Sequence, residues 1–393
     1  MRPISLDQAW GIIAAAVMPL KSEMVGFSDA AGRVLSAPVV ATFDSPQSNV
    51  SMMDGYAVHD AMADDTLDVV GVSAAGSRFD GKIVAGQAVR IFTGAAVPEG
   101  AERIMIQEHV TTDGDRITIL EPTIGPTFVR AIGSDFRAAE CVVAAGTLLT
   151  PGALVAAAGA GIAQVSVTRR PRVATIATGD ELRAVGAAPE HDSIPDSIGP
   201  GLAAMLGAMG ADVVGHGLLG DDLGALERAA AEAVAVADLV VVTGGASVGE
   251  RDHAKAMFAP LGLELLFSKV AIKPGKPVWL GRVGETLIMG LPGNPGSALV
   301  TARLLLAPLV AGLLGQQRPS PLDWIDLPLG AAISATGERE TFLRATFADG
   351  KLIPVANQDS GAQRALGEAT WLIRCPAGQS ARVENELVSA LAF

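Results

Sequence analysis

Basic residues are scarce in this chain: 29 Lys and Arg stand against 42 Asp and Glu, a formal net charge of −13. A general nucleic-acid or anionic-membrane binder needs a broad basic surface, which this balance excludes. A small anion held in a local basic pocket remains compatible with it. Cysteine is nearly absent: Cys141 and Cys375 are the only two and lack paired spacing. That suits a reducing compartment and supplies no metal motif. The five histidines (His59, His109, His191, His216, His253) include no helix-spaced pair, so no structural zinc site is expected. Aromatic residues make up only 4%, and the cores must rely on close backbone approach and on Val, Leu and Ile. The first ten residues lack the apolar stretch of a signal peptide. Residues 142–168 carry no charge, but Pro151 and four glycines interrupt them. They read as a helix after Pro151, a turn at Gly159–Gly161 and a strand, not as a membrane span. A cytoplasmic protein is expected.

What is present is a 393-residue chain, 49% hydrophobic and 18% charged, which predicts a globular protein of several domains. Helical spacing runs over Leu6–Leu20. From Thr42 to Arg137 the text reads as a β insert, with strand-like runs at Leu67–Val72, Ala88–Phe92, Arg103–Gln107 and Arg116–Leu120 split by Gly, Pro and Asp turns. The pattern changes at Arg172. Strand-like Val173–Thr178, Asp212–Gly217, Ala237–Gly245, Leu263–Lys269 and Thr286–Gly290 alternate with helices over Gly201–Met209, Leu223–Ala237 (Asp222 as N-cap) and Asn294–Leu314. Such alternation predicts a parallel, doubly wound sheet, with ligands at the carboxyl ends of its strands. After Gln316 the chain reads as β again. The fold class is thus α/β multidomain: a central doubly wound domain (1–19 and 164–316), a β-rich insert (42–137), a discontinuous linker-like domain (20–41 and 138–163) and a small C-terminal β-barrel-like domain (317–393).

Five segments carry candidate chemistry. In Thr243–Asp252, Gly244, Gly245 and Gly249 follow a buried strand. Their amides would converge on an anion beside the Ser247 hydroxyl, and Asp252 would hold a metal bridging phosphates; the alternative is a turn whose glycines only relieve crowding. Lys269, Lys273 and Lys276 fall within eight residues around Pro274-Gly275, suiting an oxyanion or phosphate, or else a solvated loop. Pro292 and Asn294 follow in a loop that opens a helix. Asp54-Gly55 is either a functional carboxylate beside the chain's only tyrosine, Tyr56, or a plain turn. Asp180 and Glu181, at a strand's carboxyl end, either bind Mg²⁺ or cap the next turn. Arg130 and Asp135 are compatible with a surface ion pair. Taken separately, these segments define an α/β protein that binds an anionic small molecule with a divalent metal.

Taken together and in this order, they resemble the MoeA-type molybdopterin molybdenumtransferases, a family that includes the C-terminal domain of gephyrin. The similarity runs through Met53–Val58, Phe92–Gly100, RAIGSD, ATGDEL, GGASVGERD, KVAIKPGKP, Gly290–Ala298 and Gln358–Gly361, nearly the whole chain. IKPGKP followed by GLPGNP is its most specific part. The resemblance implies an elongated homodimer in which the partner's insert completes a shared cleft, and a central domain that binds the pterin nucleotide. It also implies the reaction of adenylyl-molybdopterin with molybdate to give molybdenum cofactor and AMP, with Mg²⁺, and contact with the enzyme that adenylylates molybdopterin. By motif, the family's functional positions fall on Asp54, Thr93, Arg130, Asp135, Glu181, Asp221, Asp252, Lys269, Lys273 and Lys276. No side chain there reads as a covalent nucleophile, which predicts in-line displacement on the adenylate.

Several positions depart from the family. Asp196-Ser197-Ile198 stands where the family has Asp-Ser-Asn or Asp-Thr-Asn, and the lost amide predicts loss of a nucleotide contact or of a helix cap. Met52 replaces Ala, Ala246 replaces Val, and Ala369-Thr370-Trp371 replaces Ala-Asn-Gly. Two other functions fit parts of this pattern: a non-catalytic molybdopterin carrier or scaffold, and a nucleotide hydrolase of the competence-damage type. Retention of the carboxylates and all three lysines favours the transferase, and the insert and lysine cluster count against the hydrolase.

Overall fold

Ser5 opens the first helix with a reciprocal cap: its hydroxyl accepts from the Gln8 amide at 3.1 Å, and the Gln8 side chain accepts from the Ser5 amide at 2.9 Å. The helix spans Leu6–Ala16 and buries Leu6, Ala9 and Ile13. It stops short of the Leu20 that periodicity suggested, because Pro19 disfavours helical backbone at the residue before it. The computed structural model describes residues 2–121, 125, 127–188, 191–244, 253–317 and 322–393.

The chain next enters a small unit in which Ser22–Gly26 pairs antiparallel with Gln164–Thr168, and Val39–Val40 with Cys141–Val143. Helix Pro151–Gly159 completes it, so the uncharged 142–168 stretch is strand, nine-residue helix and strand. Between its two halves lies the insert, a six-stranded sheet in the order Arg103–Ile106, Gly55–Val58, Gln87–Ile91, Thr66–Ser73, Arg116–Ile119, Val110–Asp113. Gly55–Val58, whose start reads as a turn in the sequence, is a strand paired on both sides and buried at all four residues. A Cβ on Gly55 would stand 2.0 Å from the Met105 carbonyl oxygen. Gly55→Ala is therefore expected to cost about 3 kcal/mol or more by overpacking against backbone. Urea unfolding would measure it, and an unchanged midpoint would disprove it.

The central sheet runs Asp212–Leu219, Arg172–Thr178, Leu239–Thr243, Thr286–Leu291, Trp279–Val283, Glu264–Phe267. Its first four strands are parallel, as the alternation predicts. The fifth is reversed: Trp279–Val283 is antiparallel to both neighbours, so Glu264–Phe267 runs in the direction of the first four. The reason is local, since only Gly284-Glu285 separates Val283 from its partner Thr286, and a two-residue turn can join only antiparallel strands. Helices cover both faces. Leu6–Ala16, Ile198–Ala208 and Pro295–Leu314 share one core with Val173, Val241 and Met289; Leu223–Val236 packs on the other through Leu226 and Ala230. Asp222 caps the latter helix, accepting from Ala225 at 2.7 Å. Pro295–Leu314 is, among the described residues, the one helix long and apolar enough to cross a membrane, and 78% of it is buried inside the protein as a core helix.

The C-terminal sheet runs Ile272–Lys273, Glu340–Ala348, Trp371–Cys375, Leu387–Ala392, Ile325–Pro328, with Lys351–Pro354 paired to Glu340–Ala348. Leu329 bridges to Leu352 and joins the last strand back to Lys351–Pro354, closing a barrel around Ile333, Ala345, Ile373 and Ala390. Its outermost strand, Ile272–Lys273, comes from the central domain's lysine segment and pairs parallel with Glu340–Thr341.

Candidate active site

Four adjacent parallel strands end on one face of the central sheet, and each end carries candidate residues. Thr178 leads to Gly179, Asp180 and Glu181; Thr243 leads to Gly244; Leu291 leads to Pro292, Gly293 and Asn294; Leu219 leads to Gly220 and Asp221. Gly244 has φ +90°, and a Cβ there would lie 2.2 Å from the Thr178 carbonyl oxygen. A Cβ on Gly293 would lie 3.4 Å from the Gly244 Cα. These turns therefore touch through backbone, and at Gly244 only glycine permits it. The Asp180 carboxylate accepts from the Asp221 amide at 2.9 Å, joining the fourth strand end to the first. Gly245, Ser247, Gly249 and Asp252 lie outside the described residues.

The lysine segment faces a different wall. Lys273 and Lys276 line a cavity of about 930 Å³ between the central domain and the barrel, together with Arg2, Arg339, Thr336 and Gln358. Both lysines are exposed, whereas Lys269 is half-buried and is not among the lining residues. Segment 357–361 connects this cavity to the strand ends. Gln358 accepts from the Arg344 amide at 3.0 Å, and buried Arg344 donates to the carbonyls of Asn357 (3.2 Å) and Asp359 (2.8 Å). Ser360 accepts from Asn294 Nδ2 at 3.1 Å through its hydroxyl and from Gly296 N at 2.7 Å through its carbonyl. Sequence alone passed over Arg2, Arg339 and Arg344. The available signal was Arg344 on the inward face of TFLRAT, where alternation calls for an apolar residue.

The insert holds a third group. Asp54 Oδ1 accepts from the Thr93 amide at 2.7 Å and the Thr93 hydroxyl at 2.9 Å. These two bonds, the backbone one first, hold the Asp54 carboxyl below its usual pKa of 3.8 against desolvation, with the Arg90 charge a smaller help. Arg90 donates to the Gly55 carbonyl at 3.0 Å and lies over the Tyr56 ring, 5.0 Å from its centroid. Arg130, paired with Val50, and Asp135, whose amide donates to the Ser45 carbonyl, are exposed, and no ion pair joins them. Among the described residues, no hydrogen bond or ion pair joins the insert group to the strand ends or to the lysines. Thr93→Val is expected to raise the Asp54 pKa only part of the way back, because the Thr93 backbone bond survives. The stability from this depressed carboxyl is full above the ordinary carboxylate pKa and is lost as pH falls through the lower folded value. A carboxyl-carbon NMR titration reads both values, and an unchanged Asp54 titration in the variant would contradict the assignment.

The chain matches known proteins along most of its length. Residues 4–161 match the MoeA N-terminal region (domain I and II), and residues 174–312 match a probable molybdopterin binding domain. A molybdopterin molybdenumtransferase of Haemophilus influenzae is 36% identical over 351 residues, covering 88% of this chain and 85% of the relative. One from Staphylococcus aureus is 29% identical over 387 residues, covering 96% and 92%. A crystal structure of a molybdopterin biosynthesis MoeA protein from Pyrococcus horikosii superposes with TM-score 0.81 at 28% identity, covering 100% of this chain and 99% of that one. Fold and strand-end site thus define a multidomain protein built on a molybdopterin-binding α/β domain. The chain belongs to the molybdopterin molybdenumtransferase family of molybdenum cofactor biosynthesis.

Proposed function

We propose that this chain transfers molybdenum from molybdate to adenylyl-molybdopterin and releases AMP. The observation that carries this reading is the cationic cavity of Lys273, Lys276, Arg339 and Arg2, linked by segment 357–361 to the strand ends of the central sheet. In an acidic chain, such a cavity concentrates oxyanions. In this reading the Gly244 turn offers its backbone amide to phosphate, and Gly245, Ser247 and Gly249, outside the described residues, are proposed for the same role. Pro292 and Asn294 shape the adjoining wall, Asp221 joins it through Asp180, and Lys269 is proposed as a further cation for the substrate. Lys273 and Lys276 stabilise the negative charge that develops as the pyrophosphate link to AMP breaks.

Magnesium enters this reading through the carboxylates. No group of three possible metal ligands occurs among the described residues. Magnesium needs fewer, since it takes one or two carboxylates together with substrate phosphates and water. The adjacent Asp180 and Glu181 fit that role, with Asp252 as a third candidate. When bound, the ion supplies neutralisation of phosphate charge.

Asp54 and Thr93 form a bonded pair on the insert, which also carries Arg130 and Asp135. A homodimer in which each insert completes the partner's cleft would bring them to the substrate. Four units with the boundaries given above, a cytoplasmic location and contact with the adenylylating enzyme belong to the same reading.

The test incubates purified protein with adenylyl-molybdopterin, Mg²⁺ and molybdate, and follows AMP release together with metal bound to the pterin. Coupled, molybdate-dependent release is expected. Tight pterin binding without release would mean a carrier, and release without molybdate would mean a hydrolase.

A further inference from the structure

The departure at Ile198 leads to a contact elsewhere in the same region. Ile198 is buried in the main core, and the cap its lost amide would have offered comes from Asp196, whose Oδ1 accepts from the Gly199 amide at 3.0 Å. The other Asp196 oxygen lies 2.8 Å from His216 Nε2, and His216 Nδ1 lies 2.8 Å from the Thr175 hydroxyl. Asp196 and Thr175 are 5% and 3% exposed, while the histidine ring is part of the wall of a cavity of about 320 Å³. Asp196 lines the same cavity, and the remaining lining residues (Ala184, Val185, Gly199, Pro200, Ala203, Leu218) bring no polar side-chain atom. His216 Nε2 is thus the one side-chain partner of Asp196 Oδ2 among the described residues.

These contacts close a ring. Thr175 lies in the strand Arg172–Thr178, which runs on to Asp180 and Glu181. Ile194 donates to the Glu181 carbonyl at 2.8 Å, Asp196 donates to the Arg183 carbonyl at 2.9 Å, and Leu182 and Arg183 pair with Ile194 and Pro195. From Asp196 the ring passes through His216, on the strand that ends beside Asp221, and returns to Thr175. Both imidazole nitrogens are engaged, so the ring plane is fixed. A Cβ on Gly199 would lie 2.4 Å from Asp196 Oδ2 and 2.9 Å from His216 Cε1, so glycine leaves the room this pair needs.

We infer that His216 is a positioning residue for the Glu181 segment: through Asp196 it holds residues 181–183 at the carboxyl end of the strand that Thr175 belongs to. This rests on the reading of Glu181 as a working carboxylate. Removing the imidazole leaves the Asp196 oxygen without its side-chain partner, and the carboxylate turns toward water in the cavity it lines. The Glu181 backbone moves with it, while the distant lysine cavity is untouched.

The experiment measures molybdate-dependent AMP release for His216→Phe, His216→Gln, Glu181→Gln and the His216→Phe/Glu181→Gln double variant. His216→Phe is expected to lower kcat about tenfold to a hundredfold, as for other residues that orient a working side chain. Gln, which can place an amide donor where Nε2 stood, restores most of it. In the Glu181→Gln background His216→Phe is expected to change kcat less than about twofold, because the two act as one unit. Gly199→Ala parts the pair without deleting either member and is expected to lower kcat likewise, which covers the case of a His216→Phe protein that does not fold. Equal losses from His216→Phe with and without Glu181 would reduce the histidine to a structural role and overturn the inference. So would unimpaired His216→Phe beside impaired Glu181→Gln. Full turnover in Glu181→Gln would sink the reading of Glu181, and this inference with it.

Discussion

Lys273→Ala should release AMP and insert metal at about a hundredth of the wild-type rate or less, the usual consequence of removing a group aimed at developing charge. Its thermal midpoint should stay where it was. The side chain is exposed, and no hydrogen bond or ion pair holds it among the described residues, so its loss is expected to cost less than about 0.5 kcal/mol. Both halves of the result matter. A fall in rate accompanied by unfolding would place Lys273 in the packing of the barrel edge, where its backbone pairs with Thr341. A variant that kept its insertion rate would remove the lysine from the chemistry. Lys273→Arg sharpens the test: it keeps the charge but spreads it over a planar fork, so partial recovery is expected if simple charge is what the site needs. Steady-state AMP release at several molybdate concentrations separates a defect in oxyanion affinity from one in turnover.

Arg344→Ala is expected to lose both stability and activity. The guanidinium is 1% exposed, and its Nη2 serves the carbonyls of Asn357 and Asp359. Truncation empties a large volume and leaves two carbonyls without that donor, a cost of about 3 kcal/mol. Arg344→Met fills most of the space and isolates the hydrogen-bond part, at about 2 kcal/mol. Activity should fall in both, because residues 357–361 link Asn294 at the sheet to Gln358 at the cavity. Urea unfolding beside AMP-release kinetics checks the two effects together. A stable, fully active Arg344→Ala would show that this segment keeps its place without the arginine.

The contrast between these two residues reflects what the sequence makes legible. Lysines crowded around Pro274-Gly275 in an acidic chain announce themselves by local density. Arg344 lies in a run that reads as an ordinary strand, and its partners are loop carbonyls that no local pattern marks. The same division holds for the fold. Val173–Thr178 and Leu239–Thr243 are buried strands of a parallel sheet, and their apolar runs say so. Gly55–Val58 is buried on both faces and only four residues long, too short to show any period, so its first residue passed for a turn. Trp279–Val283 was missed for a similar reason, since four of its five residues are buried and no alternation survives. Contacts between distant parts leave no local trace: Arg2 and Arg339 reach one cavity from opposite ends of the chain. The missing amide at Ile198 was visible. Its replacement by Asp196 and His216 was not, because the histidine comes from a different strand.

The strand Ile272–Lys273 gives the lysine loop a second owner. Its register, Ile272 opposite Glu340 and Lys273 opposite Thr341, belongs to the barrel, while the rest of the loop belongs to the sheet. The two domains are therefore not interchangeable modules. A recombination that exchanged the barrel for that of a relative would also reset the height at which Lys273 stands over the cavity, and would survive selection only if the incoming edge strand offered the same two positions. The seam is not confined to that strand, because Phe342, Leu372 and Leu391 of the barrel lie in the same core as Val241 and Met289 of the sheet.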